Sequence, residues 1–185
     1  MPFDAQAVVD SISRAGLAPG ATPLIPADFE PTTELSVVYG GAKPSRWATS
    51  SGPASSGAAT YTLLLVDPDA PYPDDTQFAN WRHWVVTGLR PTTGASAAGD
   101  AAAAGVTLTA YLGPGPKDDS EPHRYLFQLF KEPEGGLGAL TKADVGGEEF
   151  VDRRSFDSPA WAARHGLELV ALNWMLCAAD AWEQK

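Results

Sequence analysis

The chain has 185 residues, 44% of them apolar, with six Trp, seven Phe and five Tyr, and a formal charge of −10 from 23 acidic against 13 basic residues. That length suits one domain over residues 1–185 and would leave two halves short of core, while the negative surface disfavours nucleic acid and the anionic face of a membrane. An anionic ligand would have to be held locally, in a pocket.

No run of about 18 apolar residues occurs, and residues 1–20 lack the basic and apolar regions of a secretory leader. A cytoplasmic protein without a transmembrane segment is expected. The single cysteine, Cys177, excludes an internal disulfide, suits a reducing compartment and reads as a buried apolar residue.

In chain order, Asp4 is placed to cap a helix over residues 5–15, with Val8, Ile12 and Ala15 on one face and Gly16 where the chain must leave it. Leu35, Val37 and Tyr39 alternate as a strand. Residues 41–58 are poor in large apolar groups and are expected to be a surface loop. The run YTLLLV at 61–66 predicts a strand buried on both faces, and HWVVTG at 83–88 a second one. His83 is expected to share a face with Val85 and Thr87.

Residues 90–105 read as another low-complexity loop, with at most a helical turn at 101–104. Strands follow at 106–111 and 123–130; in the latter, His123, Tyr125, Phe127 and Leu129 fall on one face, and Arg124, Leu126, Gln128 and Phe130 on the other. Asp157 or Ser158, with Pro159 in the first helical position and Gly166 beyond the end, frames a short helix. His165 is accounted for by its place at that helix's C-terminus. Residues 167–175 are the last strand, and 176–185 a short tail with helical character. Strands separated by loops rather than by alternating helices predict a mainly β protein, an antiparallel β-sandwich with a few peripheral helices.

The densest polar signal is Asp67-Pro68-Asp69-Ala70-Pro71, directly after a buried strand. Each proline stiffens the turn, so two carboxylates are held at a sheet end, where sites are commonly built. One of the two is expected to cap the turn or pair with an arginine. His83 and His123 each open an apolar strand, and Tyr125 accompanies His123. Such a set could receive an anion, with an aspartate fixing one imidazole, or could move protons near neutral pH. No metal-ligand spacing such as HxH or HExxH supports a metal centre, and no nucleotide or hydrolase motif is present, so neither metal nor cofactor is expected. The loop at 111–123 leads into His123; Gly113 and Gly115 can take positive φ and expose N–H groups, which suits close approach by an anion.

With Trp81-Arg82-His83-Trp84, Gly113-Pro114-Gly115-Pro116 and Pro122-His123-Arg124-Tyr125 beside the Asp67–Pro71 turn, the chain resembles the phosphatidylethanolamine-binding protein family. That family includes Raf kinase inhibitor protein, plant flowering-time regulators and fungal carboxypeptidase Y inhibitors. The likeness runs from about Ser36 to Cys177, through Arg154-Ser155-Phe156 and Val170-Ala171-Leu172-Asn173. It implies a sandwich of antiparallel sheets with a surface pocket for phosphate-like groups, lined by Asp67, Pro71, Trp81, His83, Gly115, Pro116, His123 and Tyr125. Asp69 and Arg124 would form a supporting ion pair, and the Ala70–Pro71 bond can be cis. Phe78 and the run Lys117-Asp118-Asp119-Ser120-Glu121 depart from relatives and alter the rim.

The implied function is a non-catalytic binding or regulatory protein for a phosphate or carboxylate head group, lipid-borne or free. A serine carboxypeptidase or a kinase is its implied protein partner. The alternative is a biosynthetic enzyme, akin to fungal natural-product proteins, in which Asp67, His83 and His123 drive isomerisation, cyclisation or condensation of a carboxylated metabolite.

Overall fold

The computed structural model describes residues 3–39, 44–50, 59–90 and 105–183. Helix α1 (Ala5–Arg14) begins where Asp4 accepts the Ala7 N–H at 3.1 Å. It ends at Gly16, φ 69°, with the Gly16 N–H on Ser13 O and the Leu17 N–H on Ile12 O. These two bonds satisfy carbonyls that a helix end would otherwise leave open. Ile12 is its fully buried residue, and it turns the helix onto the sheet.

That sheet has five antiparallel strands in the order β5-β4-β3-β6-β7. The central one, β3 (Tyr61–Asp67), carries Leu63, Leu64, Leu65 and Val66, each 0% exposed, as expected of an apolar run covered on both faces. It is flanked by β4 (Trp81–Leu89) and β6 (His123–Lys131), with β5 (Val106–Thr109) and β7 (Glu168–Cys177) at the edges. The alternation in β6 sorts its side chains as the sequence predicts. Tyr125, Phe127 and Leu129 enter one core, where Leu35 of β1 (Glu34–Tyr39) also packs; Leu126 and Phe130 enter the other, with Ile12 and Trp161. Helix α2 (Ser158–Arg164) is capped by Asp157, which accepts the Ala160 N–H at 2.9 Å, and leaves through Gly166 at φ 63°. With Asp157 as the cap and the helix beginning at Ser158, Pro159 takes the second helical position rather than the first.

Four expectations change. Pro44–Ser50, read as part of a loop, is strand β2, paired antiparallel with β1 so that Val37 faces Trp47. Ladder pairing uses backbone groups, so a segment without an apolar run can pair, and Pro44 stands at the strand's first residue, where a missing N–H is tolerated. Residues 41–43, 51–58 and 91–104, and with them the helical turn expected at 101–104, lie outside the described residues. The last strand runs on to Cys177, and residues 178–183 form a turn rather than a helix. Cys177 is half-buried, not core, and burial raises its thiol pKa.

The fourth change matters most for function. In the β3–β4 ladder Leu65 faces Trp84 and Val66 faces Arg82, so His83 is an extra residue in a bulge. The bulge breaks the period of two. Val85 therefore packs in the core beside Ile12, while the His83 ring lies on the other side, edge-on to Tyr125 at 5.1 Å.

Gln128, 0% exposed, joins layers: its Nε2 donates to Leu24 O at 3.0 Å and its Oε1 accepts from Ser158 Oγ at 3.1 Å. Gln128→Leu would leave a buried carbonyl and a buried hydroxyl unpaired. A loss of about 2 kcal/mol is expected in urea unfolding; an unchanged midpoint would show that these bonds contribute nothing.

Candidate functional site

Asp67 ends the central strand, so the chain turns at the middle of the sheet's edge. Its two oxygens are both engaged: Oδ1 accepts the Asp69 N–H at 2.7 Å, and Oδ2 accepts from His123 Nδ1 at 2.8 Å. The other imidazole nitrogen, Nε2, meets Ser120 Oγ at 2.9 Å. His123 is thus held at both nitrogens and is 3% exposed, with its ring near-parallel to Tyr125. It is an oriented wall of the site.

Asp69, also buried, takes the Arg124 guanidinium in a fork, Nε to Oδ2 at 2.9 Å and Nη2 to Oδ1 at 2.6 Å, and accepts the Arg124 backbone N–H at 2.7 Å. The same guanidinium donates to Ala15 O at 2.9 Å. Turn, β6 and the end of α1 are therefore tied at one point. The carboxylate bond raises the Arg124 pKa against the effect of its burial. The Ala70–Pro71 bond is cis.

His83 is arranged differently from His123. Leu112 O can act as an acceptor alone, so His83 Nδ1, 2.8 Å away, carries the proton. Burial lowers the His83 pKa below its ordinary value, more than the Leu112 bond and the Asp67 charge raise it. At neutral pH the ring is neutral, and Nε2 holds a lone pair with no hydrogen-bond partner among the described residues. Tyr125, 1% exposed, accepts the Gly115 N–H at 3.3 Å, and burial foremost pushes its pKa up, so the phenol keeps its proton.

These groups border a cavity of about 600 Å³. Asp67, Pro71, Trp81, His83, Gly115, His123 and Tyr125 all line it; Pro116 does not. Trp81 keeps an indole N–H without an acceptor among the described residues. Gly113 and Gly115 do not use the positive φ open to glycine; each precedes a proline, which favours extended backbone in the residue before it. The Gly115 N–H is turned inward to Tyr125 instead.

The cavity also includes residues that sequence reasoning did not assign to it, Leu112, Pro114, Phe150 and Arg154, and two noted there for departing from relatives at the rim, Phe78 and Lys117. Phe150 and Arg154 arrive from the first residue and the C-terminal cap of a single turn at 150–153, far along the chain. The available signal was an apolar pair, Phe150-Val151, in a stretch of charged residues. Lys117 and Arg154 are cations at the rim; Lys117 donates to Tyr72 O–H at 2.9 Å, and that bond raises its pKa. Asp118, Asp119 and Glu121 are exposed and border a different cavity of about 430 Å³ with residues 181–183. Among the described residues no group of three metal-ligating side chains is close enough to hold a metal ion, and no helix is long and apolar enough to cross a membrane.

A family model described as phosphatidylethanolamine-binding protein matches residues 25–174. The chain belongs to that family. Among similar curated proteins, the carboxypeptidase Y inhibitor of Saccharomyces cerevisiae is 32% identical over 131 residues, 62% of this chain and 57% of that protein. Protein MOTHER of FT and TFL1 homolog 2 of Oryza sativa subsp. japonica is 34% identical over 110 residues, 59% of this chain and 54% of that protein. The matched part thus spans little more than half the length of these relatives. Among solved structures, carboxypeptidase Y inhibitor complexed with its cognate proteinase superposes with a TM-score of 0.70 at 24% identity, over 93% of this chain and 95% of the other. A phosphatidylethanolamine-binding protein from Plasmodium vivax gives 0.53 at 22% identity, over 74% and 71%. At those identities the likeness speaks for the family's mainly β, antiparallel fold.

The Asp67–His123 pair offers a direct check. An asparagine at 67 supplies one acceptor oxygen where the protein needs two, and turns an NH₂ toward a donor. Asp67→Asn should cost about 2 kcal/mol in urea unfolding at neutral pH. Stability equal to the unaltered chain would show that the buried pair is not holding the turn.

Proposed function

We propose that this family member is a non-catalytic binding and regulatory protein whose cavity takes the phosphate or carboxylate group of a small ligand, lipid-borne or free. The observation that carries the reading is His83: its ring is fixed by Leu112 O, with Nε2 unpartnered at the wall of the cavity. Around it stand other donors, the Tyr125 phenol and the unpartnered Trp81 indole N–H, with Lys117 and Arg154 at the rim. Charge-assisted hydrogen bonds from such groups suit an oxyanion. A neutral His83 offers a lone pair where an anion needs a donor, so binding should draw a proton onto Nε2.

For the protein partner we favour a serine carboxypeptidase, and for the protein a cytoplasmic location. In support stands the name of the 32% identical yeast relative, carboxypeptidase Y inhibitor. Inhibition of carboxypeptidase Y by the full chain, assayed with and without the His83→Gln change, tests this; no inhibition at any ratio removes the partner while leaving the anion site to its own test. A catalytic use of the cavity has one observation in its favour, the depressed His83 with its free nitrogen, which is how a general base is prepared.

The pH dependence gives the sharper test. Acetate stays ionised above pH 6, so any change in its affinity there belongs to the protein. The free-state His83 pKa lies below its ordinary value, and a bound anion would raise it. Affinity should be greatest below the free-state pKa, fall about tenfold per pH unit between the free and bound values, and level off above. His83→Gln should flatten that profile in calorimetric titrations. Acetate affinity independent of pH, or unaltered by the substitution, would remove His83 from the anion site.

A further inference from the structure

An acetate or phosphate would occupy a small part of a cavity of about 600 Å³. Its polar groups come mainly from the strand ends, at Asp67, His83 and Tyr125, whereas Trp81, Phe78, Phe150 and Leu112 supply apolar walls. Phe150 is 61% exposed and its neighbour Val151 59%, although the Phe150 ring is set edge-on to Trp81, with centroids 4.6 Å apart. An exposed aromatic at the edge of a cavity leaves a π-face for a ligand to cover, and covering it is favourable.

The turn that carries Phe150 is anchored. Arg153, 7% exposed, donates to the carbonyls of Arg82 at 3.3 Å, His83 at 3.2 Å and Ala110 at 3.0 Å. The 150–153 turn is thereby fixed to the same backbone that carries the site histidine. The next residue, Arg154, lays its guanidinium over the Phe78 ring, 4.2 Å from the centroid, adding a flat cationic surface to the same mouth. Two aromatic walls and a stacked guanidinium thus stand at fixed positions relative to His83.

We propose that the Phe150–Arg154 turn is the specificity wall of this site and that the ligand carries its acidic group on a flat aromatic body packed against Phe150 and Trp81. This rests on the anion-binding reading of the cavity and narrows the ligand to aromatic carboxylates or aryl phosphates. An aromatic body gains edge-to-face and stacking contacts that an aliphatic one of equal area does not. Phe150 is the wall that one substitution can test: its side chain is mostly exposed, so its loss leaves the core untouched.

The test follows the His83 ring resonances of the full chain by NMR at pH 6 during titration with acetate, 3-phenylpropionate and 3-cyclohexylpropionate, with phosphate and phenyl phosphate as the second pair. 3-Phenylpropionate should bind about tenfold more tightly than acetate and more tightly than 3-cyclohexylpropionate. Phenyl phosphate should exceed phosphate in the same way, and Phe150→Ala should bring both ratios towards one. If acetate and phosphate shift His83 but the aromatic ligands gain nothing, or the ratios survive Phe150→Ala, the aromatic wall is overturned and the anion site stands. Equal binding of the phenyl and cyclohexyl acids likewise overturns the aromatic assignment. If no anion moves His83, the anion site itself falls, and the wall with it.

Discussion

The fork between Arg124 and Asp69 is the contact on which the site's geometry depends. A carboxylate 2% exposed would be costly to bury without a partner, and here it meets two guanidinium N–H groups and a backbone N–H. The ion pair is not chiefly a source of stability, since replacing buried pairs by apolar groups is often neutral. Its effect is positional. It fastens the Asp67–Pro71 turn to the start of β6 and, through Ala15 O, to the end of α1. With the turn fixed, Asp67 meets His123, and the cavity acquires a rigid side.

The two histidines show how the same residue type is put to different uses by its surroundings. His123 has a carboxylate on one nitrogen and a hydroxyl on the other, so nothing on the ring is left for a ligand; what it presents is an oriented surface. His83 has one backbone carbonyl and a free nitrogen. The bulge is the cause. One extra residue in β4 rotates His83 onto the Tyr125 side without disturbing Val85 and Val86 further along, which stay buried at 0% exposure. Bulges recur where a side chain must be re-aimed.

The fold was largely legible because its signals are strong and local. The apolar run at 61–66 could be satisfied in few ways other than as a central strand, and the alternation in 123–130 assigned each side chain to its core. Gly16 and Gly166 marked helix ends that the chain does take. What escaped had no local signal. The β2 strand is composed of residues that look like loop, and its pairing comes from β1. The His83 bulge is a mismatch between two strands and is invisible in either alone. Pro114 and Pro116 act on the glycines before them by a local rule, so the backbone of that loop was legible in principle. Phe150 and Arg154 reach the cavity through Arg153, whose carbonyl partners lie about 40 to 70 residues earlier in the chain.

The charge of the chain, −10, opposes the anion site proposed beside this acidic turn. The nearby carboxylates are largely used internally. Asp67 is covered by an amide N–H and an imidazole, Asp69 by Arg124, and the acidic run at 118–121 faces another cavity. Beneath the site, Arg82 and Arg153 are buried and bonded to Thr109 and to backbone carbonyls, Val145 and Gly147 among them. Burial holds the Arg82 pKa down to about 10, yet both guanidiniums remain charged at neutral pH. Carbonyls solvate a cation without cancelling its charge, and Asp152 beside Arg82 and Glu148 beside Arg153 offset only part of it, so some positive field remains beside the His83 backbone. The Arg153 charge lowers the His83 pKa for the same reason. Burial, rather than the local field, keeps the free imidazole neutral, since the Asp67 charge outweighs that of Arg153 there; an anion bound as proposed would favour the protonated ring, so ligand binding and proton uptake at His83 would be coupled.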